Sequence, residues 1–279
     1  IMYNPLLFIF NLFGEVISLK LQIFWALLMG ALGMYYLAKH VLKYNHLGAL
    51  FSSLTFCLSG CLYKITMLRG NSFLTDYFYL PFLLAFFIKS KDDKKYIFFI
   101  TFLLGFLISP DMRIVAMLLF LFLFCCLEFK WVYLKNFLMV CLFTFLFKAI
   151  SLIPMLELLR ESRYSVNFYT LFGETTLTGP ALLERIHGIY NLLLTHQGHP
   201  LDISIKGYFP LGFYLGYIPV SLFILASLFF WKKQLKWTAL FVIFTLLAFA
   251  TNTPFDLFRL LHKLPIFNAM YKPAKYFVP

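Results

Sequence analysis

Phe86-Phe87-Ile88-Lys89-Ser90-Lys91-Asp92-Asp93-Lys94-Lys95-Tyr96-Ile97-Phe98-Phe99 packs four lysines and two aspartates into a short turn between two apolar runs, near 74–88 and 96–109. Apolar rods that meet at a lysine-rich turn are the pattern of helices returning at a membrane surface. The pattern repeats in both directions. Runs near 21–38, 47–63, 74–88, 96–109, 114–127, 134–154, 211–231 and 237–251 predict eight spans. The runs at 96–109 and 114–127 have 14 residues each. Each is roughly 21 Å of helix, short of about 30 Å of hydrocarbon, so Lys95, Arg113 and Lys130 have to snorkel or the pair forms a re-entrant hairpin.

Composition agrees with that pattern. Apolar residues make up 62% of the 279 and charged residues 13%, against roughly 45–50% and 25% in soluble domains. A water-soluble globule is excluded, and an aromatic content of 21% excludes a disordered chain. Cys57, Cys61, Cys125, Cys126 and Cys141 all lie in apolar runs without metal-ligand spacing and read as small buried hydrophobes.

The net charge of +12 follows the loops. Eleven lysines, at 39, 43, 89, 91, 94, 95, 130, 135, 232, 233 and 236, fall in one alternating set. The short opposite loops hold Lys64, Arg69 and Arg113. The lysine-rich set therefore belongs in the cytoplasm, and no nucleic-acid partner is implied. Residues 1–20, 155–210 and 252–275 are then external segments of a single integral membrane domain covering 1–279. They read as interfacial helices: Thr178-Gly179-Pro180 opens a stretch with Leu182, Ile186, Ile189, Tyr190 and Leu193 on one face and Glu184, Arg185, His187 and Asn191 on the other. Ile1 stands inside what already reads as structured sequence, and Tyr276-Phe277-Val278-Pro279 opens another apolar run, so the sequence is read as cut at both ends.

Candidate chemistry collects on the external side. Asp111, in Ser109-Pro110-Asp111-Met112-Arg113, is placed to orient an acceptor hydroxyl or act as a base, although Ser, Pro and Asp also favour any helix N-terminus. Asp76 after Thr75 invites the same capping explanation. His196, His199 and Asp202 have three-residue spacing, but Gly198 and Pro200 break a helix that would align them, so a polar loop is the better reading and no metal is assigned. In the stretch Pro154 to Tyr164 a helix leaving the membrane sets Glu157 and Glu161 one turn apart, with Arg160 beside them and Arg163 close by. Arginine suits a bidentate grasp of phosphate, and a self-paired exit helix explains the spacing equally well. Lys272 and Lys275 alternate with Tyr271 and Tyr276 at the outer boundary, compatible with a lipid phosphate or an interface belt. Lys148, six residues before Pro154, is expected to snorkel outward.

The order of these features resembles the bacterial YfhO-like membrane proteins. The resemblance rests on Asn4-Pro5-Leu6-Leu7, Gly30-Ala31-Leu32-Gly33-Met34-Tyr35-Tyr36-Leu37-Ala38, Leu54-Thr55-Phe56-Cys57-Leu58-Ser59-Gly60 and Leu80-Pro81-Phe82-Leu83-Leu84. It continues through Ile153-Pro154-Met155-Leu156-Glu157-Leu158-Leu159-Arg160-Glu161-Ser162-Arg163 and Leu264-Pro265-Ile266-Phe267-Asn268-Ala269-Met270-Tyr271-Lys272-Pro273-Ala274-Lys275-Tyr276.

The resemblance implies an all-α polytopic bundle of the GT-C-like kind in the cytoplasmic membrane. Such an enzyme moves a sugar from a polyprenyl-phosphate donor to a cell-envelope glycan or protein acceptor on the outer side, with no further cofactor. It implies a main catalytic carboxylate in a first external loop upstream of Ile1, with Asp111 and Glu157 as secondary orienting groups. Arg113, Arg160, Arg163, Lys272 and Lys275 are then the cations for the donor phosphate. Where relatives have Arg before a late proline this chain has Lys272, which keeps the charge but loses the forked geometry. The rival readings are a flippase of a lipid-linked saccharide and a noncatalytic assembly factor.

The charge pattern makes a direct prediction. In intact cells, an impermeant probe should label cysteines introduced at 155–210 and leave those introduced at 89–95 unlabelled; the reverse pattern would invert the topology.

Overall fold

The computed structural model describes residues 10, 12–58, 72–108, 112–161, 217–249 and 257–264. Every regular element among them is helical. The chain divides into two compact units, Ile1–Leu152 and Ile153–Pro279.

In the first unit α1 (Glu15–Tyr36) leads into a π-helical turn, Leu37–Val41. The helix starts at Gly14, whose φ of 87° suits a residue without a Cβ, and it begins six residues before the apolar run near 21–38. Helix α2 (His46–Cys57) is capped by Asn45, whose Oδ1 accepts from Gly48 N at 2.7 Å. A 3-10 segment, Ser72–Tyr79, then joins α3 (Leu80–Lys89), where Pro81 sits in the first turn without costing a hydrogen bond. Helix α4 (Lys95–Phe102) ends in a second π turn, Leu103–Leu107, and α5 (Met112–Glu128) and α6 (Trp131–Glu161) follow, the stretch of α6 after Leu152 being counted in the second unit. The other unit contains α7 (Tyr217–Phe229), α8 (Trp231–Phe249) and α9 (Leu257–His262). Phe223 and Phe241 meet at 4.6 Å between ring centres, and the Ser227 and Thr238 hydroxyls lie 3.3 Å apart, so α7 and α8 form a packed hairpin.

Two helical stretches, Val16–Val41 and Trp131–Ala149, are long and apolar enough to cross a membrane, and only 22% and 28% of their most apolar windows are buried. A core helix of a soluble protein would be mostly covered. On α6, Leu138, Leu142, Phe145 and Leu146 are exposed while Asn136, Thr144 and Lys148 are buried. This inversion of the soluble pattern places apolar groups outward and polar groups inward. His46–Cys57, Lys95–Leu107, Ile114–Glu128 and Gln234–Leu247 are shorter apolar helices.

Close approach holds the first unit together. Ser53 Oγ donates to Ala31 O at 2.8 Å and Cys57 Sγ to Leu27 O at 3.4 Å, so α2 grips α1 through small polar groups. On α1, Gly30 and Gly33 admit Phe78 and Phe82. A Cβ at Gly30 would lie 2.5 Å from Phe78 Cδ1, and one at Gly33 would lie 2.8 Å from Phe82 Cδ2. Phe78 is fully buried. Phe87, Phe124 and Tyr133 form an aromatic triad that locks α3, α5 and α6.

Three lysine-bearing turns gather at one end of this unit. Lys89 Nζ donates to Tyr36 OH at 2.6 Å and lies 4.5 Å from the centre of that ring, tying the turn after α1 to the turn after α3. Asn136 Nδ2 donates to Ser90 O at 2.8 Å, tying the latter to the start of α6. Two of these turns close on left-handed residues that are not glycine, Lys43 at φ 59° and Phe129 at φ 48°. Each costs on the order of 1–2 kcal/mol.

Replacing Gly30 or Gly33 by alanine should destabilise the folded protein by about 1–3 kcal/mol through overpacking. Thermal melting in detergent checks this, with Gly14→Ala as a control that strains the backbone but meets nothing within 4 Å.

Candidate functional site

Two buried charged side chains, on elements distant in sequence, occupy the half of the first unit opposite its lysine turns. Asp76 is 4% exposed and belongs to the 3-10 segment, four residues before α3 begins. Eight residues of 3-10 geometry exceed the usual three or four, and such backbone occurs within a bundle where packing or function holds it. Around Asp76, Tyr77, Phe78 and Tyr79 are all buried, and Trp25 Nε1 of α1 donates to Tyr79 OH at 3.0 Å. Asp76 is thus buried within an aromatic stretch of the chain and is not a solvent-exposed cap. A buried ionisable group at this depth is the strongest structural pointer to function that a bundle offers.

Lys148 is the second such group, also 4% exposed. It does not snorkel as its distance from Pro154 suggested. Its Nζ donates to Ile108 O at 2.8 Å. The cause lies in the π turn of α4: at Ile108 the chain turns extended, with φ −92° and ψ 134°. The carbonyl of Ile108 thus leaves the helical ladder of α4, and Lys148 supplies a donor to it. One turn away on the same face, Thr144 Oγ1 is buried with no hydrogen-bond partner.

Helix rise places each of these groups well away from the lysine-bearing turns. Asp76 is roughly 20 Å along the chain axis from Lys89, Ile108 roughly 20 Å from Lys95, and Lys148 roughly 25 Å from Trp131. All three lie toward the end that the charge pattern assigns to the exterior.

Of the residues that the sequence put forward, Asp111, Arg163, Lys272 and Lys275 lie outside the described residues, as do His196, His199 and Asp202. Arg113 stands in the first turn of α5, and Glu157 and Arg160 in the last turns of α6, with side chains outside the description. Asp111 directly precedes α5, three residues beyond the Ile108 carbonyl that Lys148 holds. In the sequence a cap and a snorkel account for Asp76 and Lys148 as isolated charges near helix ends. The signal that marks Lys148 is its position four residues from Thr144 and twelve from Asn136, on one face of α6.

Charge at the opposite end is arranged differently. Lys95 Nζ sits 2.7 Å from Asp93 Oδ2, and its backbone N–H donates to Oδ1 at 2.9 Å. These hydrogen bonds hold the Asp93 carboxyl below the usual carboxylate range and push the Lys95 ammonium up. No family model, curated protein or solved structure matches the chain.

Replacing Lys148 by methionine removes the Nζ donor to the Ile108 carbonyl and should destabilise the protein by about 1–3 kcal/mol. Thr144→Val removes a buried, unpartnered hydroxyl and should be neutral or stabilising. Opposite shifts of melting temperature for the two variants in detergent check the assignment.

Proposed function

We propose that the protein is a multi-pass enzyme of the cytoplasmic membrane that transfers a sugar from a polyprenyl-phosphate donor to a cell-envelope acceptor on the outer face. The observation that supports this reading is a helical unit whose flanks are apolar while Asn136, Thr144 and Lys148 turn inward, the arrangement of a bundle in lipid. The YfhO-like order of motifs in the sequence supports the choice of chemistry. The eight apolar runs are its spans, and the lysine turns its cytoplasmic side.

In this reading the acceptor hydroxyl oxygen attacks the anomeric carbon of the donor, the carbon–oxygen bond to the lipid phosphate breaks, and a carboxylate takes the hydroxyl proton. Asp111 and Glu157 orient the acceptor. Arg113, Arg160, Arg163, Lys272 and Lys275 stabilise the charge that develops on the departing phosphate.

A flippase of a lipid-linked saccharide is the second reading, and one observation favours it: Asp76 and Lys148 lie within the bundle, where transporters keep their charged groups. The two readings separate in proteoliposomes loaded with a polyprenyl-phosphate sugar. A transferase releases polyprenyl phosphate as the sugar appears on the acceptor, and Arg160→Ala with Arg163→Ala should lower that release by about 10²-fold. Movement of intact donor across the bilayer without release would overturn the transferase reading in favour of the flippase.

A further inference from the structure

The lysine-bearing end of the first unit has a composition that neither sugar transfer nor span placement uses in full. Lys95 and Lys130 are paired with Asp93 and Glu128. Lys43, Lys91, Lys94 and Lys135 are exposed and have no ion-pair partner among the described residues. The Lys89–Tyr36 and Asn136–Ser90 hydrogen bonds bring the three turns that bear them to the same end.

Apolar groups project from the same turns. Phe129 is 93% exposed although its backbone is left-handed, and Trp131 is 77% exposed two residues on. Tyr44, beside the left-handed Lys43, is exposed as well. In water a strained, uncovered phenylalanine is unfavourable on two counts, whereas at a bilayer interface the ring is covered and the neighbouring ammonium groups meet phosphate. Free cations interleaved with interfacial rings are complementary to a layer of acidic lipid headgroups.

We propose that this end is a docking surface for acidic phospholipids, with Lys43, Lys91, Lys94 and Lys135 contacting the headgroup phosphates and Phe129 and Trp131 seated beneath them. The inference rests on the membrane reading and is independent of the transferase chemistry.

The test uses the purified full chain in detergent, titrated with phosphatidylglycerol or phosphatidylcholine and followed by native mass spectrometry. Phosphatidylglycerol adducts should be retained preferentially, and the preference should shrink as salt is raised. The variant K91Q/K94Q/K135Q should lower the preference by about tenfold or more, since each cation near an acidic surface contributes about fivefold. Asparagine accepts left-handed backbone, so Phe129→Asn should keep or raise the melting temperature while reducing adducts of both lipids. Equal retention of the two lipids, a preference unchanged in the lysine variant, or undiminished adducts in the Phe129 variant would each overturn the proposal. Failure of the wild-type chain to enter vesicles would instead overturn the membrane reading, and loss of donor cleavage alone would leave the lipid surface standing.

Discussion

With leucine and phenylalanine on the outside of α6, the described polar side chains of that helix after Lys135 face inward. Asn136, Thr144 and Lys148 obey this constraint, and the architecture of the first unit follows from how it is met. Asn136 finds the Ser90 carbonyl and hydroxyl, and Lys148 finds the carbonyl of Ile108. In an apolar surrounding an unmet donor or acceptor costs more than any single contact contributes, so these pairings select which helices become neighbours.

The same constraint accounts for the departures from regular α-helix. Each π turn ends where a helix gives up its ladder, and a replacement partner is present at each place. At Leu37–Val41 the chain closes with Tyr44 N donating to Ala38 O and Lys43 left-handed, so the terminal carbonyls are covered locally. At Leu103–Leu107 the Ile108 N–H still donates to Leu103 O at 3.2 Å, and the Ile108 carbonyl accepts from a side chain 40 residues away. The 3-10 segment before α3 is accommodated because Gly30 and Gly33 let Phe78 and Phe82 come against the backbone of α1. Small residues where helices cross, long aromatics from the partner, and a few hydrogen bonds between side chain and carbonyl are the means of packing available where water drives nothing together.

Charge is held differently at the two ends of the unit. The end opposite the lysine turns holds Asp76 and Lys148 buried, where a charge acts strongly on its surroundings. The lysine-bearing end presents ammonium groups that are exposed and screened. Lys89 belongs to neither class: Tyr36 and Tyr96 hold it against their rings, and it serves as a tie between α1, α3 and α4.

Much of this was legible in the amino-acid order. The apolar runs predicted helices at each place where the structure describes one of the main rods, and lysine spacing identified the turns that share an end, because both properties are local to a stretch of about twenty residues. The candidate site was legible only as a set of charges near outer helix ends, among which Asp76 looked like a cap and Lys148 like a snorkel. Their burial was decided by tertiary structure alone. Trp25 and Tyr79 are separated by 54 residues, and Ile108 and Lys148 by 40. Which side of a helix faces a neighbour depends on the rotation of both about their axes. That rotation is set by glycine contacts and aromatic packing between elements, and no periodicity within a single run records it.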